Sequence, residues 1–167
     1  AIAEYDLDAQ AETGRILCTV QYGDSGKFAH YLRDPKTKRW TQFSDFGDGK
    51  VQASFGRKDE LLIVTRKDAP RGALHRLKIN DVAKPERAVQ LIAQGQDTIV
   101  SSFWGSPSVA VIDDRYYVQY QTGGPSELRT FDAKGSRLID DEVPQLPTSA
   151  TSAPMVLGDA LLFGNGS

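Results

Sequence analysis

Short apolar runs recur along this chain at roughly fifty-residue spacing, which limits its possible folds more than any other feature. Equivalent positions are Ile16, Leu62, Tyr117 and Leu162, with one longer step before Tyr117. Residues 116–132, YYVQYQTGGPSELRTFD, show the pattern most fully. Tyr116, Val118 and Tyr120 alternate with Tyr117, Gln119 and Gln121, which is the two-residue period of a β-strand. Thr122-Gly123-Gly124-Pro125-Ser126 then interrupts the run, because glycine tolerates positive φ and proline lacks an N–H. Residues 128–131 return the chain and Asp132-Ala133-Lys134-Gly135 turns it again.

The same grammar holds elsewhere. A first unit reads as strands over 2–6, 15–22, 27–33 and 39–43, separated by turns such as Gly23-Asp24-Ser25-Gly26 and Asp34-Pro35-Lys36-Thr37. A second reads as strands over 51–55, 60–65, 73–79 and 87–92. A third runs through 98–103, extended by 108–112, then the hairpin above, then 137–143. A fourth only begins, at 155–157 and 161–163. No stretch sustains an apolar pattern at helical spacing; residues 83–94 come nearest, where a fourth strand belongs. Four-stranded antiparallel meanders at this period are the blades of a β-propeller, closer to the kelch period of about 50 than to the WD40 range of about 40–45. Each blade buries both faces against its neighbours, so its inner strands are almost wholly apolar. The predicted fold class is therefore all-β, a partial β-propeller of about three and a half blades. Blades are expected over 1–45, 50–93 and 97–143, with an incomplete one over 152–167.

Propellers close with about 4–8 blades, so three and a beginning suggest a segment of a longer protein. Such a segment is expected to self-associate through its open blade edges. The charge balance of −2, with both signs interspersed, gives no nucleic-acid or membrane-surface footprint. The longest apolar runs, 61–64 and 108–112, are too short to span a bilayer, and no signal peptide opens the sequence. The single Cys18 excludes an internal disulfide framework.

Thr65-Arg66-Lys67-Asp68-Ala69-Pro70 follows an apolar strand and precedes Leu74-His75-Arg76-Leu77. This stretch resembles the Lys-Asp-Ala-Pro signature in the propeller of the prolyl oligopeptidase family. The order downstream is similar too: Leu91-Ile92, Asp97 to Ser102, Tyr116 to Tyr120, and Leu128-Arg129-Thr130-Phe131-Asp132 with Gly135. Phe28-Ala29-His30-Tyr31-Leu32 and Gly123-Gly124-Pro125-Ser126 resemble stretches of bacterial members. The resemblance implies a serine peptidase of two domains, in which an α/β-hydrolase domain carries a Ser-Asp-His triad. It also implies a seven-bladed propeller that covers the active site and admits only short peptides, cut after proline. This chain then serves as a non-catalytic gate whose partners are that hydrolase domain and its peptide substrates. It implies no cofactor, and the bacterial members point to the periplasm. Rival readings are a stand-alone propeller scaffold for protein interactions and a propeller enzyme acting on sugars.

Within the chain, no catalytic, cofactor-binding or metal-ligating residue is expected. No Gly-x-Ser-x-Gly elbow occurs, and the Gly-Asp-Ser-Gly around Ser25 reads as a turn, followed by Lys27. His30 and His75 lie mid-strand and read as side chains packed between blades, in preference to a base or ligand. Asp45-Phe46-Gly47-Asp48-Gly49 lacks the later glutamate of a calcium loop and reads as an acidic turn. Asp140-Asp141-Glu142 matches a catalytic carboxylate pair only loosely and reads as a solvated strand end. Trp40, Phe43, Phe103 and Trp104 suit packing or a groove, and Arg66, Lys67, Arg71 and Arg76 form the densest basic cluster.

Overall fold

The computed structural model describes residues 2–146 and 150–166, and it is built from antiparallel β-sheets. The first sheet contains β1 (Ala3–Gln10), β2 (Arg15–Tyr22), β3 (Phe28–Arg33) and β4 (Trp40–Ser44), paired in sequence order. Its outer turn is closed by Asp34, whose Oδ1 accepts from Lys36 N at 2.9 Å and Thr37 N at 2.7 Å. The second sheet repeats the meander with β5 (Lys50–Phe55), β6 (Glu60–Thr65), β7 (Ala73–Lys78) and β8 (Val89–Ile92). The third contains β9 (Thr98–Ile99), β10 (Val109–Ile112), β11 (Arg115–Gln121) and β12 (Ser126–Phe131). Two short pairs follow: β13 (Ala150–Thr151) with β16 (Asn165–Gly166), and β14 (Met155–Leu157) with β15 (Ala160–Leu162). No helix among the described residues is long and apolar enough to cross a membrane.

β6 explains how these sheets become blades. All six of its residues are buried, and they alternate between two neighbours. Leu61 and Ile63 join Leu17, Leu32 and Phe43 of the first sheet in one core cluster. Leu62 and Val64 join Ile99, Val109, Tyr116 and Val118 of the third sheet in another. A strand packed on both faces has no polar side to show, hence the unbroken run ELLIVT. Apolar side chains remain exposed at the two ends of the stack. They are Ile2, Tyr5, Leu7 and Tyr22 at one end, and Met155, Val156, Leu157 and Leu162 at the other.

Several expected strands differ. The expected strand over 98–103 with its extension is split: Ile99 pairs with Tyr120, while Val109 pairs with Val118. Residues 101–107 leave the sheet and rejoin it at Gln119, which donates to Ser108 O (2.8 Å) and accepts from Val100 N (3.0 Å). The strand expected over 137–143 is not formed. Only Arg137 bridges to Phe131, and Ile139–Asp141 is a 3₁₀ turn. Side chains occupy the outer edge of β12 instead. Gln145 both donates to Leu128 O (2.7 Å) and accepts from Leu128 N (2.9 Å), while Glu142 accepts from Thr130 N (2.9 Å). These amide and carboxylate groups supply the hydrogen bonds that a fourth strand would make. The strand expected from residue 87 starts at Val89, because Pro85–Arg87 forms a 3₁₀ turn.

Candidate functional site

The first strands of the first two blades, together with a segment of the third, border a groove of about 430 Å³. It is lined by Asp6 and Asp8 of β1, by Val51, Gln52 and Ala53 of β5, and by the strap of residues 101–107. Asp6 pairs across the sheet with Thr19 and Asp8 with Leu17, so both carboxylates stand on the face turned to the second blade. Burial and the neighbouring Asp6 carboxylate raise the Asp8 carboxyl above its usual range.

Gln52 fastens the strap. Its side chain is 5% exposed; Nε2 donates to Ser108 Oγ at 3.1 Å, and Oε1 accepts from Ser108 N at 3.3 Å and Ser102 N at 3.4 Å. From this anchor the strap reaches across to the first blade, where Phe103 lies 5.7 Å from the Phe28 ring. Trp104 stacks edge-on against Phe103 at 4.4 Å and is 59% exposed. The result is a polar trough with an aromatic brow. β1 pairs only with β2, and β5 only with β6, so their inner backbone edges face the trough without a strand partner among the described residues. An extended peptide can bond to such edges, with alternate side chains reaching the wall.

The other candidates fall elsewhere. The Ser25 hydroxyl is used by its own turn, donating to Tyr22 O at 2.5 Å and accepting from Lys27 N at 3.2 Å. Asp45 and Asp48 likewise bind backbone N–H groups of their turn, at 2.8 Å from Phe46 and 2.9 Å from Asp45. No group of three or more metal-ligating side chains is assembled among the described residues. Asp141 pairs with Arg115 at 2.7 Å and Glu142 with Arg137 at 2.7 Å. Burial raises the half-buried Cys18 thiol. Trp40 is exposed on β4, while Phe43 is buried and stacks on His30 at 5.7 Å.

The basic cluster is dispersed. Arg66 donates to Ile99 O (2.6 Å) and Arg71 to Gln96 O (2.6 Å), so both hold the start of the third blade. Arg76 lies on β7, toward the opposite strand ends, reaching Ala133 O at 3.4 Å. Gln52, Ser102, Ser108, Asp6 and Asp8 carry no local sequence signal, since each gains its role only from a distant blade.

His30 and His75 are opposed across the first blade interface. His30 is fully buried, with Nδ1 2.6 Å from Ser44 Oγ, and His75 pairs with Ile63 on the face toward the first blade. Burial, with Lys50 nearby, lowers His30 from 6.5 to about 3, and the same two causes lower His75. The folded state therefore favours neutral imidazoles, while the unfolded chain binds protons from about pH 6.5 downward. Stability should thus fall on acidification below about pH 6.5, by up to about 1.4 kcal/mol per pH unit for His30, until the folded value is reached. Urea midpoints measured from pH 7 to pH 4.5 check this; His30→Gln should flatten the slope, and an unchanged slope would contradict it.

Stacked four-stranded antiparallel blades with an inner groove define a β-propeller. The chain belongs to the prolyl oligopeptidase N-terminal β-propeller domain family, whose profile matches residues 10–161. No curated protein sequence matches it. Among solved structures, a prolyl endopeptidase superposes with TM-score 0.76 at 18% identity, over 96% of this chain and 23% of that one. Prolyl oligopeptidase B from Galerina marginata, in its apo form, gives 0.66 at 12%, over 90% and 21%. Oligopeptidase B from Leishmania major gives 0.63 at 14%, over 90% and 21%. The chain thus spans 21–23% of the length of these proteins.

Proposed function

We propose that this chain forms part of the access channel of a prolyl oligopeptidase-like serine peptidase. It covers a catalytic centre borne by an α/β-hydrolase domain and admits short, extended, proline-containing peptides. The observation that carries this reading is the strap of residues 101–107. It spans from the third blade over β5 to Phe28 of the first and narrows a groove of about 430 Å³. Such a passage selects by shape: a single extended strand fits beside unpaired inner edges, whereas a folded domain does not. Excluding bulk water also strengthens the dipoles of a catalytic centre behind it.

The isolated chain should not cleave a chromogenic proline-containing peptide. Joined to its hydrolase domain, it should cleave short peptides and spare folded proteins. Replacing residues 101–107 by a two-glycine link should then raise kcat/KM for long peptides relative to short ones. An unchanged ratio would remove the gating role.

A further inference from the structure

A second cavity, of about 640 Å³, opens at the other strand ends of the second blade, between the β5–β6 turn and the end of β7. Its lining residues are Arg57, Lys58, Asp59, Glu60, Arg76, Lys78 and Asn80. Of the two carboxylates there, Glu60 is engaged and Asp59 is largely exposed. Glu60 is buried, accepts from the Tyr116 hydroxyl at 3.0 Å and pairs with Arg57 Nη1 at 3.1 Å. Arg57 also donates to the Tyr116 hydroxyl and to Asp113 O (2.8 Å), and its guanidinium lies 4.5 Å above the Tyr116 ring. Asp59 is approached by Arg15 of the first blade at 3.7 Å.

Lys58, Arg76 and Lys78 have no carboxylate partner among the described residues. Three cations without an ion pair therefore border one cavity, on a chain whose net charge is −2; Arg76 touches Ala133 O and the Tyr116 side chain. Arg76 projects from the half-buried part of β7, near Tyr116, where an ionic contact is less screened than on open surface. Its planar fork suits the two oxygens of a carboxylate or phosphate, and the flanking lysines act as point charges. Asn80 adds an amide at the rim. The volume suits a small molecule and not a protein segment. Glu60 is neutralised by Arg57 and bonded to Tyr116, whereas the exposed Asp59, 3.7 Å from Arg15, stands at the rim; the lining still carries four cations against two carboxylates.

We propose that this cavity is an oxyanion-binding site, with Arg76 as the bidentate ligand and Lys58 and Lys78 as flanking charges. It is separate from the inner groove and does not depend on the peptidase reading.

The test is a titration of the 167-residue chain with inorganic phosphate at fixed ionic strength, followed by amide chemical shifts. Saturable shifts confined to residues 57–60 and 76–80 are expected, weakened at least tenfold in Arg76→Gln. Arg76 also touches Ala133 O, so the exposed pair Lys58→Gln and Lys78→Gln gives a second variant whose fold is not at stake; it should weaken binding severalfold. Acetate titrated in parallel identifies the source: comparable affinity points to carboxylate groups, and phosphate alone to phosphoryl groups. Shifts that follow ionic strength alone, lie elsewhere, or survive the lysine substitutions would overturn the proposal.

Discussion

Replacing Gly135 by alanine should destabilise the chain by about 3 kcal/mol or more, from backbone strain added to overpacking. A Cβ at this position would collide with the carbonyl oxygen of Leu91 and lie 2.8 Å from its carbon. Gly135 also has φ +85°, and its N–H closes the turn onto Asp132 O at 3.0 Å. The obstacle is backbone, on β8 of the neighbouring blade, so no rotamer change relieves it. Either the turn lifts away or β8 shifts, and both open the interface that holds Leu91 and Ile92. Gly123 supplies the control: φ is +92° there and a Cβ would meet nothing within 4 Å, so Gly123→Ala should cost only about 1–2 kcal/mol of backbone strain. Chemical denaturation of both variants checks the difference; equal losses would mean that the blades do not approach at Gly135.

The second large effect is expected in β6. Leu61→Ala should cost about 2–5 kcal/mol, the range for truncating a buried leucine whose surroundings collapse only partly. Leu61 is 0% exposed and packs with Leu17, Leu32 and Phe43 across the first interface. Leu62, adjacent in sequence and 1% exposed, belongs to the other cluster. Leu62→Ala should cost a similar amount but weaken a different interface. Hydrogen exchange separates them: Leu61→Ala should deprotect β2 and β3 first, and Leu62→Ala should deprotect β10 and β11 first. Deprotection of the same amides by both would mean that β6 does not divide its residues between two blades.

The fold was legible where one force acted alone. β2 and β6 have the predicted bounds, because β-branched and aliphatic residues run without a break and turns flank them. Residues 98–112 misled because the strap has no compositional mark apart from Gly105-Ser106-Pro107, and its anchor, Gln52, lies in another blade. Residues 137–143 misled for a subtler reason. They stand where a blade's fourth strand belongs, but Glu142 and Gln145 meet the ladder's needs through side chains. Pattern reading cannot tell a backbone partner from an amide that imitates one.

The site was less legible than the fold. Arg66, Lys67, Arg71 and Arg76 are close in sequence, yet a strand carries Arg76 to the far end of the blade. Conversely, the groove joins Asp6 to Phe103, residues brought together only when three blades stack. The histidines were read as packed between blades, and their place on the same interface follows from register: His30 lies opposite Thr19, and His75 opposite Ile63.

The detour in the third blade leaves the ladder beside Gln119 and returns to that same residue, so it begins and ends at one point of the framework. A segment attached in this way can be lengthened, shortened or exchanged for an unrelated sequence while every strand keeps its register. The molecule thus offers a socket for grafts beside its groove, where a new segment leaves the strand ladder intact and has only the contacts with Gln52 and Phe28 to replace.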